Sequence, residues 1–376
     1  MILTYFIPFF LSLILSLIFT RVAITWSKRL NFMDVPGQIS RKNHPQSTPL
    51  LGGTAVFCAF FSTLFLLLLT VFFLEDQMVR YIPDLTPFIR GSQKECKRLF
   101  FIFLGGSLVL LLGLKDDKNK EGMGPFMKLG ILFLIALLLF YLNIRITLFI
   151  RTSILNYCLT FGWILFLTNS FNLLDNMDGL SAGTAVSCSL CMGIVSFVLG
   201  EYFITLYLLA FTGSLLGFLK YNFFGGRIFL GDSGALFIGY NLAVTAILES
   251  FFKQGKSPMF AVFIPVFIFA IPFYDTLSVV LIRLKNGKSI FRGDMNHFSH
   301  RLHRSGYSKR NAVVIIITLA FFISIVSLKL LHLRNQSLSF LYPLLLFLMT
   351  LIMLLGIELI LKKMGRKITG SRTSQP

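Results

Sequence analysis

The sequence predicts an all-α integral membrane protein, a polytopic bundle of about 10–11 transmembrane helices. Three observations carry that expectation. Apolar residues make up 55% of the 376, charged residues only 14%, and the mean hydropathy is +0.78, a composition far from that of a soluble enzyme. Apolar runs long enough to cross a bilayer recur along the whole chain. The stretches between them are too short to bury a core of their own.

Taken in order, the runs lie near 2–24, 50–74, 98–114, 126–143, 154–172, 179–199, 202–221, 234–252, 258–283, 311–331 and 338–361. The first lacks a basic leading region and a small-residue cleavage site, so it reads as a retained span rather than a signal peptide. Pro265 and Pro272 fall inside the ninth run and predict a kink or break there. Residues 1–365 are expected to form a single polytopic domain, with 366–376 as a short polar cytoplasmic tail.

The net charge of +19 does not indicate nucleic acid, because Lys and Arg are scattered in loops instead of striped along one helix face. Alternation of spans gathers most of the 35 basic residues on the face that carries loops 25–49, 115–125, 173–178, 222–233 and 284–310 and the C-terminal tail. The positive-inside rule makes that face cytoplasmic, although the basic loop around 75–98 opposes it. Five cysteines, most of them in apolar runs, imply no disulfide framework, and the Cys188/Cys191 pair reads as helix packing.

Acidic residues sort to the same face. Asp34, Asp116, Asp117, Glu121, Asp175, Asp178, Asp232, Asp275 and Asp294 all fall on or near it, which predicts a cytoplasmic-face active-site cleft. Asp116-Asp117 follow the third span, and adjacent helical carboxylates point about 100° apart, so the two are expected to do different work. Asn172, Asp175 and Asp178 repeat every third residue and are expected on one flank of a helical turn, offering oxygens to a hard cation or a nucleotide. Asp232 sits in Phe229-Leu-Gly-Asp-Ser-Gly234 just before an apolar helix, where an acid can hold Mg²⁺ beside a diphosphate or serve as a helix cap. His297, His300 and Arg301, in the most basic loop, are expected to share a face suited to phosphate, as are Lys42 and His44 in the first cytoplasmic loop.

Together these motifs resemble the polyprenyl-phosphate N-acetylhexosamine-1-phosphate transferase family over nearly the whole chain from Asp34 to Ser308. Within it, His297-Phe-Ser-His300 is closer to the His-x-His-His pattern of the undecaprenyl-phosphate N-acetylglucosaminyl 1-phosphate transferase branch. The Pro-x-His-His-His run of the muramoyl-pentapeptide enzymes is absent. Ser299 stands where the former pattern has His, Asn176 where the acidic run often has Gly, and Leu132 where a Gln often follows the lysine.

The resemblance implies transfer of a sugar 1-phosphate from a UDP-sugar to undecaprenyl phosphate in the bacterial cytoplasmic membrane, with release of UMP and with Mg²⁺, or Mn²⁺ in its place. It implies Asp116 and Asp117 as catalytic, Asn172 and Asp232 as metal ligands, and Asp175, Asn176 and Asp178 as the nucleotide-sugar pocket. Lys42, His44, Lys128, His297, His300 and Arg301 would hold phosphates. No nucleic-acid partner is expected, and a homodimer is left open. The same reaction with another UDP-N-acetylhexosamine or UDP-muramoyl-pentapeptide is the alternative. An ion-coupled transporter is a distant one, since it would place its acids nearer mid-bilayer.

Overall fold

The computed structural model describes residues 2–35, 47–81, 86–119, 123–147, 152–223, 225–249, 251, 258–290, 294–332 and 341–372. Among these residues the chain is helical, apart from a two-residue antiparallel ladder pairing β1 (Met33–Asp34) with β2 (Thr48–Pro49). Among the described residues nine helices are long and apolar enough to cross a membrane, and counting one bent helix pair as a single span gives ten, against the 10–11 expected.

The chain divides into two compact units, Met1–Ser250 and Phe251–Pro376. The first holds α1 (Ile2–Arg29), α2 (Gly52–Tyr81), α3 (Thr86–Lys118), α4 (Pro125–Tyr141), α5 (Ser153–Leu174), α6 (Leu180–Val198), α7 (Tyr202–Asn222) and α8 (Gly231–Leu248). Seventeen-residue α4 is the shortest of them and is apolar but shorter than the nine spanning helices. Helix α8 is the axis of this unit. It packs against α2, α3, α5 and α6, and Ala235–Asn241 are entirely shielded. An all-round apolar helix is what a central position requires. Cys188 and Cys191 are buried in α6 and form no disulfide, consistent with packing.

The second unit holds α9 (Ile264–Ile268), α10 (Ala270–Lys285), α11 (Phe298–Arg304), α12 (Lys309–Ser327) and α13 (Leu341–Arg372). A 3-10 turn at Met259–Phe263 leads into α9, and the segment bends by 62° before α10. The expected break is therefore present. It falls at Phe269, with Pro265 in the first turn of α9 before it and Pro272 in the first turn of α10 after it, where a missing N–H leaves no carbonyl unpaired. The segment expected as a polar tail from 366 continues α13 as helix to Arg372.

Candidate active site

In the first unit, the end of α3 and the start of α8 meet through backbone, and α4 joins them through the Lys128 side chain. A Cβ on Gly113 of α3 would collide with the backbone of Ser233 in α8, so only glycine allows the two helices this approach. The end of β2 and the start of α2 close the same junction. Phe229 N donates to Pro49 O at 2.8 Å and Gly53 N to Leu230 O at 2.9 Å.

Asp117 then acts as a cap supplied from another helix. Its Oδ1 accepts from Asp232 N at 2.8 Å and its Oδ2 from Ser233 N at 3.1 Å, satisfying two of the unpaired N–H groups that open α8. Gly231 turns into the helix at φ +74°, and a Cβ there would lie 2.6 Å from Asp117 Oδ2. The cap expected of the Gly-Asp-Ser-Gly turn itself is thus provided by α3, and the Asp232 side chain is released for other contacts.

Asp116 points elsewhere. It is buried, accepts from Met123 N, and receives the Lys128 ammonium from α4. The same Nζ lies 3.4 Å from Asp232 Oδ2, so one lysine joins the acids of α3 and α8. Asp232 is the open member of the set, with its side chain 39% exposed against 6% for Asp116.

Helix α5 brings the fourth motif to this end. Trp163 Nε1 donates to Ala243 O at 3.2 Å, and Gly239 seats on the backbone of Leu167 and Thr168, so α5 and α8 run antiparallel. Asn172 and Asp232 then lie about 7 and 10 Å along their helices from that contact, towards the same end. Asn172 Oδ1 is buried without a hydrogen-bond partner.

The turn after α5 departs from expectation. Asn172, Asp175 and Asp178 do not share a helical flank, because α5 ends at Leu174, with Asp175 as its C-cap and Asp178 in the following turn. Gly179 closes that turn at φ +77° before α6. Asn176 Nδ2 donates to Leu173 O at 3.0 Å.

Asn222, which sequence reasoning missed, ties this turn to the approach to α8. Its Oδ1 accepts from Gly179 N at 2.6 Å, and its Nδ2 donates to Ile228 O at 2.8 Å. Asp178 Oδ2 lies against Gly226 in the same loop. The signal was present: a lone amide closing an apolar span, shortly before Gly225-Gly226.

In the second unit, His297 is the N-cap residue of α11 and is buried against Asp275 of α10. The His297 Nδ1 to Asp275 Oδ2 distance is 2.8 Å, and Phe298 N donates to Asp275 Oδ1 at 2.6 Å. Arg301 reaches Ser278 Oγ at 2.8 Å and Glu358 of α13 at 3.0 Å, with its guanidinium over the Tyr274 and Phe298 rings. Burial, with His297 and Arg304 nearby, pushes the His300 imidazole down to about 4. Lys42 and His44 lie outside the described residues.

Among the described residues no three His, Cys, Asp or Glu side chains group as a metal cluster. The oxygen-only set of Asp232 and Asn172 nevertheless suits Mg²⁺, which takes one or two protein oxygens and completes its shell with water and phosphate.

The profile of the family described as glycosyl transferase family 4 matches residues 99–250. The chain is 28% identical over 327 residues to a probable undecaprenyl-phosphate N-acetylglucosaminyl 1-phosphate transferase of Bacillus subtilis, covering 85% of this chain and 83% of that one. It is also 28% identical to a phospho-N-acetylmuramoyl-pentapeptide-transferase of Clostridium perfringens, covering 85% and 96%. A decaprenyl-phosphate N-acetylglucosaminephosphotransferase of Mycobacterium tuberculosis matches at 27%, covering 73% and 70%. The matched residues run from α3 to α8 and carry Asp116, Asp117, Lys128, Asn172 and Asp232. Over residues 99–250 the chain is thus similar to glycosyl transferase family 4.

Proposed function

We propose that this protein transfers N-acetylglucosamine 1-phosphate from UDP-N-acetylglucosamine to undecaprenyl phosphate, releasing UMP, at the cytoplasmic face of a bacterial inner membrane. The observation that carries this reading is the joining of three motifs at one helix start: Asp117 holds the opening backbone of α8, and Lys128 links Asp116 to Asp232. The Bacillus subtilis and Mycobacterium tuberculosis relatives are named for undecaprenyl phosphate and decaprenyl phosphate, and the basic loops support a cytoplasmic site.

An oxygen of the lipid phosphate attacks the sugar-bearing phosphorus. The bond from that phosphorus to the bridging oxygen breaks, and the electron pair leaves with UMP. Two anions must approach in line, so their charge has to be screened and their oxygens aligned. Lys128 supplies an ammonium whose position is fixed by Asp116, and Asp232 and Asn172 would hold Mg²⁺, which would neutralise phosphate charge when bound. Two carboxylates on one ammonium, with the Asp117 carboxylate on the α8 backbone next to them, leave the site formally anionic, the condition under which a divalent cation is favoured. Asp117 acts on α8: with both oxygens on backbone N–H groups, it sets the direction of Asp232. Asp175, Asn176 and Asp178 would line the nucleotide side of the site, with Asn222 fixing their turn.

The donor is assigned from the His297-Phe-Ser-His300 loop, which lacks the three consecutive histidines of the muramoyl-pentapeptide branch. Purified protein given undecaprenyl phosphate and a panel of UDP-N-acetylhexosamines and UDP-muramoyl-pentapeptide tests this. Lipid-linked product with UDP-N-acetylglucosamine is expected. Product only with another donor overturns the sugar assignment, and no product with any donor overturns the reaction.

A further inference from the structure

The basic loop of the second unit is fastened along one helix by buried polar groups. Arg283 of α10 is 2% exposed, donates through Nη1 to Ile290 O at 2.6 Å, and approaches Asp294 Oδ2 at 3.2 Å through Nε. Two turns earlier on α10, Asp275 is 1% exposed and takes both Phe298 N and the His297 ring. Ser278, between them, holds Arg301. Such buried ionic contacts are costly to assemble, and a loop that only set topology would not require them.

We propose that Asp275 is a positioning residue for His297, fixing the imidazole with its proton on Nδ1 and its Nε2 turned away from α10 as the nitrogen that meets substrate phosphate. The proposal rests on the functional reading above for the phosphate, while the tautomer follows from geometry alone. An ionised carboxylate only accepts, so the ring nitrogen 2.8 Å from Asp275 Oδ2 must be the donor. The second carboxylate oxygen is held by Phe298 N, the first N–H of α11, so the carboxylate cannot rotate away without uncapping that helix. Asp275 therefore fixes ring and helix together, and the loop presents His297 Nε2 in one orientation.

Asp275→Asn separates these duties. The carboxamide keeps an oxygen for Phe298 N but turns an NH₂ donor towards the ring, which forces Nδ1 to accept and moves the ring proton to Nε2. Nitrogen NMR of histidine-labelled full-length protein, with His297→Gln used to assign the signal, should show a neutral His297 protonated at Nδ1 in the native chain and at Nε2 in Asp275→Asn. In the transfer assay, Asp275→Asn should lower turnover roughly 10–100-fold, the range seen when the residue orienting a functional histidine is lost. In a His297→Gln background the same substitution should change turnover less than about threefold, since a residue that acts through His297 has nothing left to orient. A native signal protonated at Nε2, or an equal loss in both backgrounds, overturns the proposal. The NMR result stands whether or not the transfer reaction is found, so failure of the inference is distinguishable from failure of the functional reading.

Discussion

The acidic site at the start of α8 and the basic loop before α11 use charge in opposite ways. At α8, two carboxylates share one lysine, Asp232 stays substantially exposed, and the Asn172 amide oxygen on the neighbouring α5 is buried without a partner. Around the loop, each of three basic side chains has an acid of its own: Arg283 with Asp294, His297 with Asp275, Arg301 with Glu358. Burial alone would raise the Asp294 carboxyl, yet the Arg283 and Asn296 hydrogen bonds hold it below the usual carboxylate range. The difference teaches that formal charge is a poor guide to which region receives an anion. The acid-rich site is under-neutralised and suited to recruit a cation, whereas the loop spends much of its positive charge on its own structure.

The largest effect that would break this comparison is expected at Asp232. Asp232→Asn should reduce transfer by roughly 10³-fold with little change in melting temperature, because its side chain is exposed and caps nothing. A loss of folding instead would move Asp232 to the structural side.

Asp117→Ala should behave oppositely, lowering stability by about 1–2 kcal/mol through two lost N–H acceptors, and lowering turnover because α8 no longer aims Asp232. Thermal melts and turnover measured on the same preparation separate the two variants.

A smaller effect is expected from Arg301→Lys. It keeps the charge but loses the fork that spans Ser278 and Glu358, so stability should fall more than affinity for the UDP-sugar. A rise in KM with unchanged melting temperature would return Arg301 to direct phosphate binding.

The smallest effect is a pH dependence at His300. Its folded value, about 4, lies below the ordinary histidine value, so the fold favours the neutral ring. That contribution is present above about pH 6.5 and is lost as pH falls towards 4. His300→Gln should flatten the stability profile in this window, as followed by denaturation at stepped pH.

Much of the fold was legible in the sequence because a bilayer imposes length and hydropathy on each span, and the proline-marked break appears at Phe269, between Pro265 and Pro272. Span ends were less legible. Helix α3 runs on to Lys118 and carries Asp116 and Asp117 inside its last turn, because its carboxylates are satisfied by α4, α8 and Met123 and need no water-exposed loop. Of the site, the acids were visible as residue types, but their division of labour was not. Spacing could separate Asp116 from Asp117 by angle, yet only the approach of Gly113 to Ser233 decides which of them meets α8. Asn222 and Asp275 were illegible as organisers for a related reason: each acts on backbone or ring groups distant in sequence, by 43 residues for Asn222 to Gly179 and 22 for Asp275 to His297.

The most direct test of the reaction follows the sugar-bearing phosphorus itself. Purified protein is supplied with undecaprenyl phosphate, Mg²⁺ and UDP-N-acetylglucosamine radiolabelled at that phosphorus, with Asp232→Asn in parallel, and label is counted in the lipid and aqueous phases. The account predicts label in the lipid with equimolar unlabelled UMP in water, and nearly none in the lipid for Asp232→Asn. Label released as UDP while unlabelled sugar reaches the lipid, or no transfer at all, would contradict it.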